Sequence, residues 1–146
     1  MNEKGQQFEG FNMLINAIIA LFILVIIIGA IDYFDHLQTD ISTQSLLEGF
    51  DSAVQSPNGD VILKHSLVLN EGAYTLRNFS SSSKISEECI TLQSVSYTSM
   101  FLSDTGKSIV VKSTLQTDVY FQCTTENNSP ACETQCIISF GIPIKK

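Results

Sequence analysis

Hydrophobic positions follow three regimes along this chain of 146 residues. From Met13 to Ile31 there is no charge, and Asn16 is the only polar side chain. Within that stretch Ala17 to Ile28 reads AIIALFILVIII without a break. Nineteen residues in a helix rise roughly 28 Å, about the thickness of the hydrocarbon layer of a bilayer. The segment is apolar on all sides, and the polar residues that follow are too few to enclose it as a core helix, so a membrane span is expected over about residues 12–31. Beyond Ile31 the apolar residues thin to Phe34, Leu37, Ile41, Leu46, Leu47, Phe50 and Val54. Those steps of three and four predict an amphipathic continuation of the same helix. Between them Asp35, Gln38, Asp40, Gln44, Glu48 and Asp51 would face water. Ser56-Pro57-Asn58-Gly59 should end the helix, because proline disfavours helical geometry in the residue before it and Asn-Gly favours a turn. The apolar stripe of the second half needs a cover, and the remainder of the chain is the nearest candidate.

From residue 57 the pattern turns to strands. Asp60 to Leu69 is rich in aliphatic and β-branched residues, and a turn at Asn70-Glu71-Gly72 leads to a short strand at Ala73 to Leu76. Further strands are expected at Cys89–Leu92, Tyr97–Leu102, Ser108–Leu115, Thr117–Cys123 and Cys136–Ile142. Asp104-Thr105-Gly106-Lys107 suits a hairpin turn, whereas the serine run Ser80–Ser83 and the stretch Thr124–Ala131 read as loops. The layout is α+β: a polar leader over residues 1–12, one long N-terminal hydrophobic then amphipathic helix over 13–55, and a small antiparallel β-rich head over 57–146.

Charge and cysteines place this head. The net charge is -7. From Asp32 onward thirteen Asp or Glu face seven Lys or Arg, with no basic stripe, so no nucleic-acid partner is expected. Cys89, Cys123, Cys132 and Cys136 all follow the helix. That placement suits disulfides in an oxidising exterior. Four cysteines allow three pairings, among which Cys123 with Cys136 across neighbouring strands, leaving Cys89 for Cys132, is attractive. Asn78-Phe79-Ser80 and Asn127-Asn128-Ser129 are candidate N-glycosylation sites, so Asn78 and Asn127 point to the same side. Lys4, alone among basic residues before the helix, agrees with an inward N-terminus.

Catalytic chemistry finds little here. A nucleophile needs a base beside it, and the two histidines, His36 on the helix and His65 within a strand, suit surface or structural roles. The cysteines are separated by 33, 8 and 3 residues, unlike the paired ligands of structural zinc. Asp32, Asp35 and Asp40 do not have the spacing of a calcium loop. Neither an enzyme nor a cofactor or metal site is expected.

The informative motif is Lys4-Gly5-Gln6-Gln7-Phe8-Glu9, set just before the hydrophobic run. Over about residues 4–31, and in the layout of long helix plus small β-rich head, the chain resembles archaeal type IV pilin-like proteins with a class III signal peptide. The resemblance implies a leader of residues 1–5, cleavage between Gly5 and Gln6 by a prepilin-type peptidase, and a retained helix over 6–56. It implies a structural subunit of a surface filament, partnered by copies of itself through the helix, by the assembly machinery, and by membrane lipid before assembly. Many such pilins carry glutamate five residues after the cut. Here Glu9 is the fourth and Gly10 the fifth, which displaces the candidate assembly contact of Glu9 with a neighbour's N-terminus. Two rivals use the same residues: a fixed single-pass protein presenting a small ectodomain within a membrane complex, and a secreted protein cut near Ile28-Gly29-Ala30.

Overall fold

The computed structural model describes residues 6–125 and 130–145. Contacts divide the chain into two compact units, one ending at Leu37 and the other running from Gln38 onward. A single helix, α1, spans Gln6–Gln55 and belongs to both. The head continues with strand β1 (Asn58–Leu69), β2 (Gly72–Thr75), helix α2 (Leu76–Ser83), β3 (Ile90–Ser94), β4 (Met100–Leu102), β5 (Ser108–Val111), β6 (Leu115–Thr124) and β7 (Gln135–Phe140). The architecture is a long N-terminal apolar helix followed by an antiparallel-rich head with two disulfides, an α+β arrangement as expected.

The head holds two sheets. The larger has the strand order β1-β6-β7-β3 and the smaller β2-β5-β4. β3 lies parallel to β7, while the other neighbours run antiparallel. Alternation along β6 and β7 sends Val119, Phe121, Cys123, Cys136, Ile138 and Phe140 to one face, where they form the core. The turn between β4 and β5 falls at Asp104–Lys107 as expected. Gly106 there adopts φ +67 and donates its N–H to Ser103 O.

Helix α1 contributes to that core from Ser42 onward. Its covered face carries Ser42, Leu46, Gly49, Phe50 and Ala53. Phe50 sits between the α2 ring of Phe79, at 5.5 Å and 73°, and the β6 ring of Phe121, at 6.4 Å. Such pairs add about 0.5–1.5 kcal/mol to the stabilisation from burial alone. Ser42 Oγ accepts the Val68 N–H of the edge strand β1 at 3.2 Å, which satisfies a buried hydroxyl. Three expected stripe members are exposed: Phe34, Leu37 and Ile41, at 67%, 36% and 60%. The contact face is instead set by small residues, because the sheet approaches α1 closely at Gly49. A Cβ there would lie 2.7 Å from Phe121 Cε2 and 3.1 Å from Lys64 Cγ.

The other differences have local causes. Ser80–Ser83 is the end of α2 rather than a loop: Leu76 and Phe79, three apart, are both buried, and the serines hydrogen-bond along the helix. Ser81 Oγ donates to Arg77 O and Ser83 Oγ to Phe79 O, at 2.7 and 2.9 Å. The strand expected at Ala73–Leu76 therefore ends at Thr75. The strand expected from Ser108 to Leu115 ends at Val111, and Leu115 opens β6. The expected Tyr97–Leu102 strand shortens to Met100–Leu102, because Tyr97 and Met100 exchange backbone hydrogen bonds across a turn. Residues 126–129 of the expected Thr124–Ala131 loop lie outside the described residues. The Tyr74 hydroxyl accepts the Asn70 N–H at 3.0 Å and closes the β1–β2 turn. Burial pushes its pKa above the usual phenol range, against a lowering from the backbone contact.

Alanine for glycine inside a helix ordinarily gains about 1 kcal/mol. At Gly49 the close approach should reverse the sign: Gly49→Ala is expected to destabilise the head by about 1–2 kcal/mol through overpacking against Phe121. Gly29→Ala, where an added Cβ meets nothing within 4 Å, should leave it unchanged. Near-UV circular dichroism of thermal unfolding, on the full chain in detergent, reads the difference.

Candidate functional site

Among the described residues the apolar feature that calls for a partner is a surface. Residues Gly10–Phe34 form 25 helical residues long and apolar enough to cross a membrane, and none of that span is buried within the chain. Helical propensity alone does not favour the Ile–Val run, since β-branched residues lose rotamer freedom in a helix. Lipid does, because a helix closes every backbone hydrogen bond within the segment. Ile15, Ile18, Leu21, Leu24, Ile27 and Ile31 are exposed, and so are Ile19, Phe22, Ile23 and Ile26 on the intervening faces. Tyr33 and Phe34 follow beside Asp32, an aromatic pair with ring centroids 6.3 Å apart at the end of the span. Aromatic residues at such an end suit the level of lipid headgroups.

The head brings its cysteines together in two pairs, Cys89–Cys132 and Cys123–Cys136. Cys123 and Cys136 occupy directly opposed positions on β6 and β7, and all four cysteines are buried. No free thiol remains to ligate zinc. One bridge ties the residue before β3 to the segment before β7, and the other ties β6 to β7, so both restrain the larger sheet.

Asn78 lies in the first turn of α2 with its side chain exposed, so its sequon sits on a helix and not on a loop. Its Oδ1 accepts a hydrogen bond from Thr75 Oγ1 at 3.2 Å, and the sequon's Ser80 Oγ donates to Ile85 O at 2.7 Å. Gly5 and Asn127 lie outside the described residues. Gln6 begins α1 and Glu9 closes its first turn, with side chains outside the described residues, as are those of Asp35, His36 and Asp40.

His65 sits in a β-bulge rather than a regular strand, where the β1–β6 register shifts between Lys64 and Leu67. Its Nδ1 is 3.5 Å from Asp118 Oδ2, while Asp118 Oδ1 accepts the Ser66 N–H at 2.8 Å. Ser66 adopts φ +52, and the carboxylate holds that left-handed turn. The exposed His65–Asp118 contact adds little, so the role of Asp118 is to fix the bulge. Nothing adjacent in sequence announces this contact across 52 positions. The helical contact residues Ser42 and Gly49 were equally hidden, because small residues carry no hydrophobic signal.

No family model, curated protein or solved structure matches the chain.

Charges at the centre of a membrane helix cost roughly 2.5–3.5 kcal/mol each. Replacing Ile23 and Ile26 together by lysine should therefore remove about 5–7 kcal/mol of insertion free energy. The unsubstituted chain is expected to stay with membranes through alkaline carbonate extraction, and the doubly substituted chain to enter the supernatant.

Proposed function

We propose that this chain is a structural subunit, a pilin or pseudopilin, of an archaeal type IV pilus-like surface filament, held in the membrane by its N-terminal helix before assembly. The observation that carries the reading is the asymmetry of α1: Gly10–Phe34 is uncovered on every side, whereas the same helix is seated in the head core from Ser42. Such an apolar surface is stable only against lipid or against other apolar helices. In the membrane it faces lipid. In a filament it exchanges lipid for copies of itself, and a head-to-tail contact between identical subunits propagates as an open helical array.

The sequence Lys4-Gly5-Gln6 supports processing by a prepilin-type peptidase on the cytoplasmic side, and Glu9 is a candidate contact to a neighbour's N-terminus. Two disulfides support a head outside the cytoplasm. The acidic head, in a chain of net charge -7, keeps the outer surface of such an array soluble.

Mass spectrometry of the native protein tests the reading. The expected N-terminus is Gln6, in material that sediments as filaments visible by electron microscopy. An intact Met1 without filaments would assign the chain to fixed single-pass membrane proteins with a small ectodomain. A start near Ile31 would contradict both.

A further inference from the structure

The span Gly10–Phe34 contains one polar group deep enough to be cut off from water. With the span centred in the bilayer, Asn16 lies about 9 Å from the middle, well inside a hydrocarbon half-thickness of about 15 Å. Asn12, one turn earlier, falls at about 15 Å, where headgroups hydrate it. Asn16 is exposed on α1, and its carboxamide has no hydrogen-bond partner among the described residues. Its stem is too short to reach the interface as lysine and arginine do. Left alone in lipid, both its N–H₂ donors and its carbonyl acceptor would go unsatisfied.

We infer that Asn16 joins two copies of this chain side by side in the membrane, through reciprocal hydrogen bonds between their carboxamides. The occupant follows from geometry and chemistry together. Copies inserted in one orientation present the same residue at the same depth. A carboxamide is both donor and acceptor, so it complements itself across a two-fold axis. The residue one turn on is Ala20, on the same face as Asn12 and Asn16, where the absence of a large side chain lets two helices approach. A single asparagine in an otherwise apolar helix also fixes register, because sliding the pair leaves both amides unpaired. This contact differs from the filament contact. Subunits stacked head to tail are offset along the axis, so their Asn16 side chains lie at different heights and the dimer must part on assembly. The inference rests on the membrane insertion in the proposed function and not on polymerisation.

Sedimentation equilibrium of the full chain in density-matched detergent micelles tests it, with bound detergent measured on the same samples. The chain is expected to dimerise, Asn16→Leu to raise the dimer dissociation constant about tenfold, and Asn16→Gln to retain dimerisation. A detergent-bound chain that stays monomeric at every protein-to-micelle ratio would overturn the dimer alone. Equal dissociation constants for the native chain and Asn16→Leu would also overturn it, by placing the contact elsewhere or the amide against another partner. A chain that binds no detergent would overturn the membrane reading with it.

Discussion

None of the apolar span Gly10–Phe34 is buried among the described residues, and the head accommodates that constraint. Water cannot host it: about 25 cal/mol for each Å² of apolar surface is lost wherever such a helix stays wet. The rest of the molecule must therefore fold without it. The head does so with a core of its own, built from both sheets, α2 and the part of α1 that follows Ser42. Phe50, Phe79 and Phe121 form the centre of this core, and two buried disulfides reinforce it. A head of this size buries a modest share of its surface, so cross-links that restrict the unfolded chain matter more than they would in a larger domain.

Continuity of α1 lets one element serve two environments. From Gly10 to Phe34 most of its side chains are large and apolar, on every face, which suits lipid. From Ser42 its covered face turns to small and shape-specific residues, Ser42, Gly49 and Ala53 around Leu46 and Phe50, which suits a packed interior. Lipid tolerates nearly any apolar surface, whereas the sheet accepts only one that fits Phe121 and Lys64.

This contrast also explains what could be read from the sequence. The span, the helix end near Pro57, most strands and the Asp104–Lys107 turn follow from periodicity and local turn chemistry. The contact face of α1 does not, because periodicity counts apolar residues and the close approach is made by Gly49 and Ser42. Phe34 and Ile41 fit the stripe yet remain uncovered. Helix α2 was hidden because its serines favour loops in isolation, and only burial of Leu76 and Phe79 makes a helix of them. Asp118 was hidden because its work is done on a backbone N–H far away in sequence. At the candidate site, the apolar helix was fully legible, whereas the processing motif is a matter of resemblance and its Gly5 lies outside the described residues.

The central claim is that α1 from Gly10 to Phe34 lies in lipid on every face. A lipid-soluble carbene label in vesicles at high lipid dilution, mapped residue by residue by mass spectrometry, addresses it directly. The account predicts labelling on all faces of the helix, from Ile15 and Ile18 through Leu21 to Leu24 and Ile27, and none on Phe50, Phe79 or Phe121. Labelling absent from Gly10–Phe34, or confined to one face of it at the same dilution, would contradict it.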